Sequence, residues 1–336
     1  MKKIGLMGCG AVADYGHIPA ILNIKNLKLQ ALFDPNEANL HRLQKKYSIP
    51  MAFTDADEFF SSGIDAVSIT SPAPCHKQNV FDAARHKLPV ICEKPLAMDR
   101  KESAAMVAVM KKARMPLYTG FCYRFSPCSL KIRELVARKA IGRVKSLRLI
   151  YNWDCHGKYE NDGRGRKIVQ KRRADRMLEG GPMVDCGTHQ IDLAAFWLGS
   201  DIVSYHGHGA WVDSYEAPDH MWLHLDHKNG AHTTVEISYS YHFTSKERIN
   251  EFVYELIGTE GVIRYDRNAR TFTMRNAKGT YDLGFHHEKN FEGMYREWAK
   301  SLHTGKPGLL TTAEAGMRVT DIARNATNEA IKNRIA

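Results

Sequence analysis

Asp185 and His189 lie four residues apart in the run Gly180-Gly181-Pro182-Met183-Val184-Asp185-Cys186-Gly187-Thr188-His189. On a helix that spacing puts both side chains on one face. A histidine titrates near neutral pH and can take the proton of an alcohol, while a carboxylate one turn away orients it or stabilises its charged form. A capping or core Asp/His pair has the same spacing. Lys94 offers a second kind of chemistry, in Cys92-Glu93-Lys94-Pro95 just beyond an apolar run. A lysine there can hydrogen-bond a hydroxyl, and its charge favours the alkoxide formed as hydride leaves. Position alone favours an ordinary exposed lysine.

A third group of residues reads as a phosphate cradle. Gly8-Cys9-Gly10-Ala11-Val12-Ala13 follows an apolar run and opens a helical pattern, the arrangement that seats a pyrophosphate on a helix N-terminus. Gly8 permits the tight turn, Gly10 the approach of phosphates, and Ala13 close helix–strand packing. Asp34, at the end of the next apolar run, stands where an acid binds ribose hydroxyls. Its carboxylate would repel a 2′-phosphate, and neither Pro35 nor Asn36 offsets it. The expected cofactor is NAD, with NADP as the alternative.

The elements that must hold these groups fall into two rhythms. Short apolar runs at 3–7, 27–33, 65–70, 89–92 and 116–121 alternate with helical segments such as 36–47 and 99–113, the latter opened by a capping pair, Asp99 and Glu102. That alternation predicts βαβ units and a doubly wound parallel sheet, a Rossmann domain over 1–124. From 125 to 336 the pattern changes. Helices at 129–139, 184–198, 291–303 and 313–332 accompany strand-like runs at 144–153, 202–212, 220–226, 232–241, 251–258, 261–266 and 271–275. Asn229-Gly230 marks a hairpin between two of them. The expectation is an α+β domain with a large, open, mostly antiparallel sheet that binds substrate and mediates oligomerisation. One broad face of that sheet needs cover, which a homodimer or homotetramer would supply.

Composition narrows the classes. No apolar run approaches membrane-spanning length, and the amino-terminal run is short and broken by glycine, so the expectation is a cytoplasmic protein with no membrane partner. Seven cysteines without a C-x-x-C pair argue against a disulfide framework, and no Cys/His set has zinc spacing, so no metal is expected. The formal charge is +11. Much of the excess lies in 164–176, with Arg164, Arg166, Lys167, Lys171, Arg172, Arg173 and Arg176. No nucleic-acid module surrounds it. The segment reads either as a solvated loop or, because it precedes Gly180-Gly181, as the rim of a substrate site suited to a phosphate, carboxylate or nucleotide-sugar group.

Taken together, these residues resemble the glucose–fructose oxidoreductase/inositol dehydrogenase (Gfo/Idh/MocA) family over nearly the whole chain. The landmarks are Gly8-x-Gly10-x-x-Ala13, Thr70-Ser71-Pro72 with His76, Glu93-Lys94-Pro95, Gly120-Phe121-Cys122-Tyr123-Arg124-Phe125, Arg173-Ala174-Asp175 and Asp185-x-Gly187-x-His189. The resemblance implies that Lys94 and His189 flank a reacting carbinol, with His189 as general base and Asp185 supporting the pair. It implies a cis Lys94–Pro95 peptide. Gly8, Cys9, Gly10, Ala11, Val12, Asp34, Ser71, Pro72, His76, Glu93 and Lys94 would contact the cofactor. Tyr123, Arg124 and Arg173 would lie near the substrate together with Lys94, Asp185 and His189. Cys122 departs from the asparagine common in relatives.

The implied activity is NAD(P)-dependent oxidation of a secondary hydroxyl of a sugar, sugar derivative or cyclitol, or reduction of the carbonyl. A glycosidase using transient oxidation and elimination would need a further base, with Tyr123 and Tyr159 as candidates. A non-catalytic regulator has no chemical need for Lys94, Asp185 and His189.

Overall fold

Short apolar runs form the parallel strands, and the helical segments between them return the chain to the same sheet edge. The computed structural model describes residues 1–162, 164–241, 245–247 and 249–334. Its strands begin with β1 (Lys2–Met7), β2 (Leu27–Phe33), β3 (Met51–Phe53), β4 (Ala66–Ile69), β5 (Val90–Cys92) and β6 (Leu117–Thr119). Between them run α1 (Ile18–Leu22), α2 (Glu37–Tyr47), α3 (Ala56–Phe60), α4 (Ala73–Arg85) and α5 (Arg100–Ala113). All four residues of β4 are buried, as expected for a strand covered on both faces. Met7, Val67, Ile69, Val80, Val90 and Met106 belong to one core there, each worth about 1.5–3 kcal/mol when fully buried.

Helix starts follow side-chain caps. The Asn36 side chain accepts the Asn39 N–H, and Asp99 accepts that of Glu102. Glu102 answers with its carboxylate on the Met98 N–H at 3.3 Å, so the expected capping box closes one residue early. The helix opened by the first loop is a π turn, Ala13–His17, followed by the short α1, which ends at Leu22. A single π turn of this kind recurs at functional sites.

A second set of elements follows: α6 (Pro127–Ala137), β7 (Val144–Asn152), β8 (Tyr159–Asn161), β9 (Lys167–Val169), α7 (Lys171–Leu178) and α8 (Thr188–Leu198). Then come β10 (Ile202–Ala210), β11 (His220–His227), β12 (His232–Ser238), β13 (Glu251–Gly258), β14 (Gly261–Asp266), β15 (Thr271–Asn276) and β16 (Gly279–Asp282). Eight of these strands form one open sheet, ordered β10-β11-β12-β7-β13-β14-β15-β16. Only β12 and β7 pair in parallel; every other neighbour is antiparallel. Met221, Leu223, Leu225, Val235 and Ile237 are buried on one face, while His224 and Asp226 on the other are exposed. Beyond residue 166 the basic segment is ordered secondary structure and not a loop: β9 pairs with β8, and α7 is capped by the Gln170 side chain.

The chain closes with α9 (Phe291–Thr304), β17 (Thr311–Thr312) and α10 (Ala313–Lys332). These locate the boundaries. One unit comprises Met1–Phe125 with Lys289–Thr320, the other Ser126–Glu288 with Asp321–Ala336. A division into 1–124 and 125–336 assumes one crossing, whereas the chain returns to its first unit. The reason is pairing: β17 adds antiparallel to β6, giving the seven-stranded order β17-β6-β5-β4-β1-β2-β3. Among the described residues, no helix is long and apolar enough to cross a membrane.

Candidate active site

The loop after β1 is shaped by Gly8, whose φ is +102° and whose absent Cβ would collide with the Ser71 backbone nitrogen. No L side chain suits that conformation or that space. Gly8 N–H donates to the Phe33 carbonyl at 2.8 Å, and Cys9 N–H to Asp34 Oδ2 at 2.6 Å. Asp34 Oδ1 takes the Asn36 N–H at 2.8 Å. Thr70 Oγ1 donates to the Gly8 carbonyl at 2.7 Å, linking the turns after β1 and β4. Gly10 is exposed, and a Cβ there would meet nothing within 4 Å. Ala11 is exposed and Val12 half-buried at the start of the helix. Burial, with Asp34 adding to it, pushes the Cys9 thiol up to about 12, so the loop adds no negative charge where phosphates would approach. The open glycine face and the adjacent carboxylate fit a dinucleotide.

Ser71 and Pro72 begin α4 beside this loop. Asn79 Nδ2 donates to Ser71 Oγ at 2.8 Å. His76 is buried, with Nε2 at 2.9 Å from the Ser71 carbonyl and Nδ1 at 3.0 Å from that of Pro95. Burial lowers its pKa against the pull of those carbonyls and of Glu93. The ring ties Ser71 to the turn that carries Lys94.

That turn follows β5, and its Lys94–Pro95 peptide is cis, as the resemblance implied. Glu93 Oε2 accepts the Lys94 N–H at 3.1 Å. Its other oxygen lies 3.0 Å from His17 Nε2. His17 Nδ1 is 2.6 Å from Tyr295 Oη, which is 2.5 Å from Ser68 Oγ. Burial alone would raise the Glu93 carboxyl; His17 and Lys94 outweigh it and hold it below the usual range. Neither His17 nor Tyr295 stands out in the sequence, for each sits in an unremarkable helical stretch and they are 278 residues apart. Tyr123 and Arg124 lie on a 3-10 turn, Cys122–Phe125, after β6. Tyr123 is buried, and Arg124 Nη1 donates to the Leu309 carbonyl at 3.3 Å. Burial, then the Glu93 charge, pushes the Cys122 thiol up to about 12.

In the second unit Asp185 and His189 are brought onto consecutive helical turns. Met183–Gly187 is another π turn, and His189 is the second residue of α8. Gly180 (φ +117°) and Gly181 (φ +74°) let the chain leave α7 for that turn. Both residues are buried, Asp185 at 9% and His189 at 6% exposure. Asp185 Oδ2 accepts the Tyr239 hydroxyl and lies 3.7 Å from Arg176 Nε. Asp185 in turn raises the Arg176 guanidinium above its already high range.

Arg176 is therefore a basic-segment side chain beside Asp185. Arg173 is fully buried. Its guanidinium donates to the carbonyls of Asp154 (3.2 Å) and Tyr239 and to Ser240 Oγ (2.6 Å), and lies 3.8 Å from Asp219. Those contacts use the planar fork inside the unit's own core, which leaves it no solvent-facing surface for a substrate. Arg166 pairs with Asp162, Lys171 with Asp175, and Arg176 also with Glu179. Three of the segment's seven cations are thus matched by acids within or next to it.

Comparison with known proteins gives this geometry a family. A model described as "Oxidoreductase family, NAD-binding Rossmann fold" matches residues 2–121, and one for the Gfo/Idh/MocA C-terminal domain matches 129–264. The scyllo-inositol 2-dehydrogenase (NAD(+)) of Bacillus subtilis (strain 168) is 25% identical over 97% of this chain and 93% of its own length. Glucose-6-phosphate 3-dehydrogenase of the same organism is 27% identical, over 61% of this chain and 56% of that protein. An oxidoreductase from Agrobacterium radiobacter, solved in complex with NAD+, L-tartaric acid and magnesium, shares the fold with a TM-score of 0.81. It is 22% identical, over 99% of this chain and 97% of that one. Loop, turn and helix motifs and both sequence matches agree: the protein belongs to the Gfo/Idh/MocA oxidoreductase family, its first part carrying the NAD-binding Rossmann fold.

Proposed function

We propose that the protein is an NAD-dependent dehydrogenase acting on a secondary hydroxyl of a sugar, sugar derivative or cyclitol, or on the corresponding carbonyl in reverse. One observation carries the reading: the Gly8 loop after β1, Ser71 after β4 and Lys94 after β5 share the carboxyl edge of three adjacent parallel strands. The strand order reverses about β1 and β4, and ligands of doubly wound sheets bind at that reversal. The inositol and sugar-phosphate dehydrogenases among its relatives favour a polyhydroxylated substrate.

When bound, NAD supplies the hydride acceptor. The Gly8–Val12 backbone holds its phosphates and Asp34 its ribose, which favours NAD over NADP. Ser71, Pro72, His76 and Glu93 line the nicotinamide side. Lys94 hydrogen-bonds the substrate hydroxyl, and its charge favours the developing alkoxide. His189 takes the hydroxyl proton at its imidazole, and Asp185 stabilises the resulting cation. Tyr123 and Arg124 orient the substrate. The open face of the eight-stranded sheet is covered by self-association.

A panel of sugars, uronates and cyclitols with NAD, followed by absorbance of the reduced cofactor, tests the assignment. Reduction with one polyol class is expected. No reduction with any of them, and no oxidation of NADH by the matching ketones, would overturn it.

A further inference from the structure

Four buried side chains from four separate elements of the first unit form one line ending at the candidate active-site turn. Ser68 comes from β4, Tyr295 from α9, His17 from the π turn and Glu93 from the end of β5. Ser68, Tyr295 and His17 are each at most 2% exposed, and the Glu93 side chain 11%.

Two hydrogen bonds and one charge contact join the line. His17 Nε2 lies 3.0 Å from Glu93 Oε1 as a charge contact and has no hydrogen-bond partner of its own among the described residues. His17 Nδ1 is hydrogen-bonded to the Tyr295 hydroxyl, and that hydroxyl to Ser68 Oγ. The ring is also held edge-on between Phe291 and Tyr295, with centroids at 4.9 Å and 5.7 Å. A Cβ on Gly120 would stand 3.2 Å from Glu93 Oε1, the oxygen that also faces His17.

We propose that His17 is a positioning residue, which through this line holds the Glu93 carboxylate against the Lys94 peptide N–H and so fixes the direction of the Lys94 side chain. The proposal rests on the dehydrogenase reading of Lys94. A buried carboxylate without its partner takes up a proton rather than stay charged. Losing the imidazole would therefore release the Lys94 N–H and remove a negative charge beside the lysine. The other groups whose charge Glu93 feels or influences are Lys94 on its own turn, Cys92 on β5, His76 on α4, Cys122 after β6 and Tyr295 on α9. Of these only Lys94 opposes protonation, and it cannot replace the lost contact with His17.

The test compares H17L, which removes both ring nitrogens, with H17Q, whose amide N–H stands in for Nε2–H, and with Y295F. NADH affinity and thermal midpoint establish that each variant is folded and loaded. In H17L, kcat is expected to fall on the order of 10²-fold, as for a misplaced catalytic group, with substrate KM little changed. Its kcat should also show a new loss of activity as pH falls, absent from the wild type. H17Q should recover much of the rate and the original pH profile, and Y295F should fall between. Equal losses in H17L and H17Q with unchanged pH profiles, or no loss in either, would overturn the proposal. A separate readout needs no turnover: infrared spectra of H17L should show a protonated carboxyl that wild type lacks and that E93Q removes from the H17L background. If the wild type turns over no polyol, the dehydrogenase reading fails while this spectrum still decides the His17–Glu93 coupling. An unchanged spectrum in an active H17L enzyme would overturn the coupling alone.

Discussion

The Cys9 peptide N–H donates to the Asp34 carboxylate at 2.6 Å, so the acid that ends β2 also braces the glycine loop after β1. Asp34→Ala removes that brace as well as a ribose partner. Hydrogen bonds to a charged group are worth about 1.5–3 kcal/mol, so NADH should bind roughly ten- to a hundredfold more weakly. The preference for NADH over NADPH should shrink with it, because the charge that repels a 2′-phosphate is gone. Fluorescence titration of both reduced cofactors checks this, and an unchanged preference would contradict it.

Two glycines in that loop should respond in opposite ways. Gly8→Ala forces a side chain into a left-handed backbone and against Ser71, and should cost at least about 1–3 kcal/mol of stability. Gly10→Ala points its methyl into open space, so stability should hold while NADH binding weakens. Urea unfolding and cofactor titration on the same two variants separate these effects.

Lys94→Ala and His189→Ala should each lower kcat on the order of 10²- to 10⁴-fold while NADH affinity persists. Stopped-flow measurement of a single hydride transfer places the loss in chemistry rather than release. Full turnover in both variants would remove them from the mechanism.

Arg173→Met should destabilise the protein by about 3–5 kcal/mol, because it strips a buried cation from buried Asp219 and three other acceptors. Arg172→Ala, at an exposed position, should change stability by less than about 0.5 kcal/mol. If Arg173→Met unfolds like wild type but raises substrate KM, the guanidinium is a ligand after all.

Asp14 gives a pH signature. Burial alone would raise its carboxyl, but Lys46 at 2.6 Å, Arg42 at 2.5 Å and Tyr47 hold it down at about 2. A lowered folded-state pKa adds stability that is complete above the unfolded value of about 4. That contribution disappears as pH falls through about 2. Wild type should therefore lose its advantage over Asp14→Asn across that interval, as followed by urea midpoints. An advantage that grows on acidification would refute the assignment.

The phosphate loop, Asp34 and the strand–helix rhythm of the first unit were legible because each depends on local pattern: a glycine spacing, an apolar run, a cap. Lys94 and Asp185/His189 were legible as residue types at a suggestive spacing. The burial of Arg173 was not, because a charged residue among six other cations reads as part of a solvated loop or of a substrate rim. Only the packing of α7, which buries Arg173 and Met177 four residues apart, reveals the inward face. Nor was His17, whose partner Tyr295 is contributed by a helix from the far end of the chain. Pairings across such distances leave no periodicity to read. The return of 289–320 was hidden for the same reason, since β17 is a two-residue strand with no pattern of its own.

That short strand has a consequence for synthesis. β17 covers the edge of β6, and α9 supplies Tyr295 to the interior of the same unit. A ribosome emits residues 1–125 long before either exists. The nascent Rossmann half must therefore wait, with one sheet edge bare and a buried histidine half-partnered, until nearly the last helix has left the tunnel. An uncovered strand edge is the kind of surface on which unfinished chains associate. The order of translation thus makes completion of the amino-terminal half a carboxyl-terminal event.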